Sequence, residues 1–434
     1  MKSFAMITEY NPFHNGHLYL LEKARKVTGA DYGIALMSGN FMQRGMPSIC
    51  DKYSRARMAA LSGVDLVLEL PFVYATGSAY DFSYGAVSIL NKLNSIDYLC
   101  FGAECDDIDI FYYISDIIND EPSYYLAILK ENLKYGMSYP AARQKALIAF
   151  LNNKSDDLSP KKPEYTEDII LNILSKPNNI LALEYISALK RTSSPIKPII
   201  IKRVSSMYDD PSLKGSISSA LAIRNIIYDN QLEKSEKKRL LSREMPKAAL
   251  EILTDMTGNK IPIFENALMP FIQSRLLSDE DAIRNICDMS DSLYNKLIKS
   301  NLYTNYADLT DSLKTKEITE ARIRRTLLHL ILDYKENDRT YFYDKGTAFY
   351  ANILSFKKEV SNLLKYINEK SSIPLITKKS DFEKYLNKEY EINENAAKRM
   401  WKLDMKATKL YGNIIYNSIG TIIPNDYIAG PSII

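Results

Sequence analysis

Ser3-Phe-Ala-Met-Ile7, then Thr8-Glu9-Tyr10-Asn11-Pro12-Phe13-His14-Asn15-Gly16-His17, then Leu18 to Val27 form one continuous opening stretch of the chain. An apolar run of strand type meets a proline-bearing loop, and an amphipathic run of helix type follows. The chain has three histidines, and two of them sit in this His-x-Gly-His tetrad. A strand, a glycine-containing turn and a helix N-terminus offer a phosphate group free backbone N–H donors and the positive end of the helix dipole. Gly16 leaves room for a base or phosphate to approach the backbone. His14 and His17, three apart, share one face, and their ring N–H groups can stabilise charge on an α-phosphate.

Working outward, the first hundred residues alternate in type. Lys2–Ile7, Asp31–Met37, Asp65–Leu70 and Tyr98–Phe101 read as strands, and Leu18–Val27, Asp51–Leu61 and Gly77–Leu93 as helices. This rhythm implies an α/β fold with a parallel sheet covered by helices, and ligands then sit at the carboxyl ends of strands. Thr8–Asn11, Ser38–Asn40 and Gly102 all fall at such ends. Residues 106–153 read as helical and tyrosine-rich, and Lys154–Glu164 as a polar loop. Asp168–Leu174, Asn178–Arg191 and Ser216–Tyr228 read as helices, with a buried strand within Pro195–Val204. From about residue 231 the chain turns to charged amphipathic helices. The boundary is placed within Asp229–Lys238, giving a catalytic region 1–230 and a mostly helical region 231–434.

Composition narrows the class. Apolar content of 46% and charged content of 25% are those of a globular protein, and no apolar stretch is long enough to span a membrane. Cys50, Cys100, Cys105 and Cys287 form no C-x-x-C pair, so a zinc site is not expected and reduced thiols in a cytoplasmic protein are. Net charge is only +3, so a nucleic-acid partner needs local basic faces.

The motifs Ile7–His17, Ser38-Gly-Asn-Phe-Met-Gln-Arg-Gly45, Asp65-Leu-Val-Leu-Glu-Leu-Pro71 and Phe101-Gly-Ala-Glu104 occur in one order. Together they resemble the tRNA(Met) cytidine acetate ligase family, within the HIGH-type nucleotidyltransferases. The resemblance implies a Rossmann-like parallel-sheet domain followed by a mostly helical region. It also implies a reaction: acetate is activated by ATP as acetyl-adenylate, then passed to N4 of the wobble cytidine of elongator tRNA(Met). Acetate, this tRNA and ATP, with Mg²⁺ accompanying the nucleotide, are the partners implied; no stable protein partner is.

By the same resemblance the ATP-binding residues are Ile7, Thr8, Glu9, Tyr10, Asn11, Pro12, Phe13, His14, Asn15, Gly16, His17, Leu18, Tyr19, Leu20, Gly102, Asn178, Arg203 and Ser218. His14, His17 and Arg224 carry the catalysis. Arg224 lies in Ser216-Ile-Ser-Ser-Ala-Leu-Ala-Ile-Arg224, which reads either as a second phosphate element or as a plain capped helix. Asn178 reads as a helix N-cap on propensity alone, and Glu9 and Glu104 as strand-end carboxylates that could position the cytidine amine or a metal-bound water.

Gln43 and Arg44 lie in the polar loop Ser38–Gly45, and Asp51, Lys52 and Arg55 follow it; they are offered to acetate, pyrophosphate or the target cytidine, the last three alternatively to a solvated helix face. Arg322, Arg324 and Arg325 are offered to tRNA phosphates, with the same alternative. The lysines of Pro374–Lys379 and of Asp404–Tyr411, with Trp401 and Tyr411, suit RNA, although such aromatics more often belong to a core. Two other functions fit the opening motifs: a small-molecule adenylyltransferase, and an RNA-binding protein without catalysis.

Overall fold

The computed structural model describes residues 1–152, 166–203, 219–257, 265–277, 280–300, 305–386 and 390–434. The Lys154–Glu164 loop and the residues Ser216 to Ser218 lie outside these.

Eight strands form one sheet: β1 (Ser3–Thr8), β2 (Tyr32–Ser38), β3 (Leu66–Leu70), β4 (Tyr98–Ala103), β5 (Lys197–Lys202), β6 (Ala351–Phe356), β7 (Leu375–Ile376) and β8 (Ser432–Ile433). Their order is β5-β4-β1-β2-β3-β6-β7, with β8 beside β6. β1 to β5 are all parallel, with Ile7 opposite Leu36 and Phe101 opposite Ile200. Side-chain alternation sorts the core into two layers. Ala5, Ile34, Leu36 and Leu68 point to one face, and Phe4, Met6, Ala35, Met37 and Val67 to the other. Both faces are covered, which is why these strands read as nearly continuous apolar runs. β5 accepts Pro198 because it is an edge strand.

The strand order reverses at β1, which has β2 on one side and β4 on the other. Such a switch point opens a crevice beyond the strand ends. The loop Glu9–His14 follows β1, and Gly102 lies near the end of β4, so both flank that crevice.

The region after 231 is mostly helical, yet it is not confined to helices. β6 runs antiparallel to β3, with Glu69 opposite Asn352. The composition change at 229–238 falls between helices Ala220–Tyr228 and Lys234–Glu244, while the sheet and one core cluster continue across it. Ala351-Asn-Ile-Leu-Ser-Phe356 is too short to show a period, so its strand character comes from the β3 edge it covers. No helix among the described residues is long and apolar enough to cross a membrane.

Candidate active site

The tetrad builds its own helix start. The helix Asn15–Thr28 has His14 at its N-cap in an extended conformation. The Gly16 N–H donates to His14 Nδ1 at 3.0 Å, and the His14 N–H donates to His17 Nδ1 at 3.3 Å. This is a reciprocal capping box made with imidazoles in place of Ser and Glu. It also fixes the tautomers. A neutral ring that accepts at Nδ1 carries its proton at Nε2. The two rings lie 3.9 Å apart, centroid to centroid, and Tyr10 and Phe13 pack against His17 at 4.8 and 5.6 Å.

Both rings are held neutral. Burial, with Arg203 and Arg224 nearby, pulls His14 down to about 3. Burial, His14 and Arg203 lower His17 in the same direction. The site therefore offers two Nε2–H donors without imidazolium charge, and its positive charge sits on the arginines. Arg224 Nη1 donates to the Asn11 carbonyl at 2.8 Å, which brings the helix Ala220–Tyr228 to the loop. Gly102 packs under Arg203: a Cβ there would meet Arg203 Cγ at 3.2 Å. Tyr10 is held at a φ of 46°, a strained value for a non-glycine residue beside the two histidines.

The profile of the family described as HIGH Nucleotidyl Transferase matches residues 1–422. The tRNA(Met) cytidine acetate ligase of Acetivibrio thermocellus is 39% identical over 416 residues, covering 95% of this chain and 94% of that protein. The protein of the same name from Clostridium kluyveri is 39% identical and covers 100% of this chain and 99% of its own. The crystal structure of Thermotoga maritima TmcAL bound with alpha-thio ATP superposes with a TM-score of 0.89, at 31% identity and full coverage of both chains. The chain belongs to the tRNA(Met) cytidine acetate ligase family.

Within this family member, the remaining candidates divide into those at the crevice and those committed elsewhere. Asn178 is not the N-cap of its helix. Lys176 holds that place and Pro177 begins the helix, because proline suits the first turn. Asn178 Nδ2 instead donates to Glu104 Oε1 at 2.6 Å. Arg44 is exposed and lies close enough to Arg224 to act on its charge. Ser218 lies outside the described residues; Ser219 beside it caps the helix by accepting from the Ala222 N–H.

Lys52 is a correction. It is fully buried, and its Nζ bonds Glu69 at 2.8 and 2.9 Å, Thr408 at 3.1 Å and Asp426 at 2.9 Å. It faces no substrate. Arg324 pairs with Glu265 and Glu320, and buried Arg325 with Asp288, so neither forms part of an open phosphate track. Arg322 spends its Nε on the Asp288 carbonyl. Lys379 is buried too, while Trp401 stacks on Phe382 and Tyr411 donates to the Ser48 carbonyl, so both aromatics belong to the core. His329 is fully buried against the Thr76 and Cys287 carbonyls.

Two residues organise the loops: Arg55, expected at the substrates or on a solvated helix face and instead fully buried, and Asn179, which carried no expected role. Buried Arg55 donates to the carbonyls of Glu9, Ser38, Gly39 and Cys50, tying together the loops after β1 and β2. Asn179, 1% exposed, accepts from the Glu104 and Cys105 N–H groups at 2.9 and 3.0 Å, while its own N–H donates to Glu104. Loop carbonyls beyond strand ends need such donors, and this need is the only signal the sequence offers for either residue.

Proposed function

We propose that this chain is an ATP-dependent ligase that acetylates N4 of the wobble cytidine of elongator tRNA(Met), forming N4-acetylcytidine. The observation that carries the reading is the neutral histidine pair beside Arg203 and Arg224 at the switch point, in a chain of this family. In the first step a carboxylate oxygen of acetate attacks the α-phosphorus of ATP. The bond from that phosphorus to the bridging oxygen breaks, and diphosphate leaves with the electron pair. His14 and His17 donate Nε2–H to the α-phosphate oxygens, where charge grows, without having to lose a proton. Arg203 and Arg224 balance the departing phosphates. In the second step the cytidine N4 attacks the acetyl carbonyl, the bond from that carbon to the AMP oxygen breaks, AMP leaves with the electron pair, and the amine's proton passes to water.

Around the nucleotide, Ile7–Leu20 supply the loop and helix start, and Gly102 and Asn178 line the β4 side. The donors here are two imidazoles already accepting at Nδ1 and two guanidiniums, and that is not a set that holds a divalent cation. Among the described residues no group of three His, Cys, Asp or Glu side chains gathers to hold a metal. Any Mg²⁺ would accompany the phosphates of ATP.

For the tRNA, the helix Lys234–Glu244 supports the reading better than Arg322 to Arg325. Its Lys238, Arg239 and Arg243 are exposed, and the Arg243 carbonyl accepts from Asn15 Nδ2 at 2.8 Å. That contact sets a basic helix directly beside the tetrad. A cytoplasmic location follows from the substrates and is part of the same proposal.

The test is acetate-dependent ATP–diphosphate exchange, followed by transfer of labelled acetate to total tRNA. Exchange together with label in a cytidine of methionine tRNA is expected. AMP transfer to a small phosphorylated acceptor without acetate dependence overturns the reading in favour of an adenylyltransferase. RNA binding with no turnover overturns it in favour of a non-catalytic protein.

A further inference from the structure

Behind the loop that follows β2 lies a buried ionic cluster in which residues from distant parts of the chain meet. Lys52 and Tyr53 start the helix after that loop, Glu69 is on β3, Lys379 follows β7, and Asp426 lies in the last ten residues. Asp426 is 2% exposed, Lys379 3% and Lys52 fully covered. The Asp426 carboxylate bridges the two ammonium groups, at 2.9 Å from Lys52 and 3.0 Å from Lys379, and also accepts from the Tyr53 hydroxyl.

The cluster touches the loop directly. The Lys52 N–H donates to Asn40 Oδ1 at 2.8 Å, and a Cβ on Gly39 would stand 2.7 Å from Glu69 Oε1. From there the loop reaches the segment that leads from β1 into the tetrad, since the Gln43 N–H donates to Glu9 Oε1 at 2.7 Å. The tail itself is anchored, with β8 paired to β6 and the Lys358 N–H donating to the Ile434 carbonyl at 2.9 Å.

We infer that Asp426 is a positioning residue: the C-terminal tail inserts it between Lys52 and Lys379 and thereby holds the Gly39–Arg44 loop in place against the catalytic tetrad. Without this carboxylate the tail no longer bridges Lys52 and Lys379, and Lys379, which burial and Lys52 already lower to about 8, loses the carboxylate it is paired with. Asp426 acts through Lys52 and touches no substrate. The effect on catalysis rests on the ligase reading; the effect on the loop does not.

The experiment compares Asp426→Asn with the double variant Asp426→Asn/Lys379→Met, in which Lys52 and Glu69 remain as a balanced pair. In Asp426→Asn, amide hydrogen exchange should quicken in residues 39–50 as well as in the tail. The kcat for acetate-dependent exchange should fall about tenfold or more, with KM for ATP held within about twofold. The double variant should recover thermal stability but not kcat. Faster amide exchange confined to the tail, or a kcat within about twofold of wild type in the folded double variant, overturns the inference. A wild-type protein with no acetate-dependent exchange overturns the ligase reading, and the amide exchange still decides the latch.

Discussion

His14 and His17 each do two jobs, and the two are linked by one proton. Accepting a backbone N–H at Nδ1 starts the helix, and the same bond leaves the proton on Nε2, the donor that the proposed reaction uses. The spacing in the sequence shows that the two rings are neighbours. It does not show the capping, because histidine is not among the usual N-cap residues. Since burial and the two arginines hold His14 down to about 3, neither ring should titrate during catalysis at neutral pH. The rate of acetate-dependent exchange should therefore show no histidine inflection between about pH 6 and 8, and a break near 6.5 lost in His14→Asn would refute the neutral pair.

For stability the sign is the reverse of a salt-bridged histidine. The unfolded ring takes up a proton near 6.5 and the folded one only near 3, so stability is full above that window and falls as pH drops through it. His17→Ala should abolish exchange and leave tRNA affinity within about threefold, because the proposed RNA contacts come from exposed side chains of a different helix, Lys234–Glu244. Lys52 marks the limit of reading at this scale. Lysines are seldom buried unpaired, and one of the two carboxylates that hold it lies 374 positions away.

Single elements were legible where they are local and periodic. The four strands of the first hundred residues, and the helices between them, follow from alternation and capping; Asp51, for instance, accepts from the Tyr53 and Ser54 N–H groups. What one element does to another was not legible. Gly45, at a φ of 76°, brings the β2 loop against the helix Glu320–Leu332, where a Cβ would stand 2.5 Å from the Arg325 nitrogen. Gly45→Ala therefore forces a left-handed residue into backbone with no room to yield. It should cost about 1–3 kcal/mol by thermal or denaturant unfolding and lower kcat together with stability.

The basic helix Lys234–Glu244 gives the second expectation at this scale. Reversing two exposed charges, Lys238→Glu and Arg243→Glu, should weaken tRNA binding and flatten its salt dependence by about two phosphate contacts. Acetate-dependent exchange should persist, because neither side chain touches the tetrad. Unchanged binding would move the RNA to another face.

Across the whole molecule the chain closes on itself. The sequence divides near residue 230 in character, from β/α alternation to charged helices, and the sheet ignores that division. β3 would be a bare edge without β6, and β6 is in turn flanked by β7 and β8. Glu69 depends on Asn352, at 2.6 Å, and Phe72 on Asp404, which accepts its N–H at 2.7 Å. A protein consisting of residues 1–230 alone would thus expose an apolar strand edge and leave Lys52 and Glu69 paired at a solvent boundary. It should aggregate or lack a cooperative thermal transition, and should bind no ATP. Adding residues 231–434 as a separate chain should restore both only if its β6 pairs with the β3 edge. A soluble 1–230 fragment with a sharp unfolding transition would show that the two halves fold independently, and that the sheet is merely shared rather than jointly built.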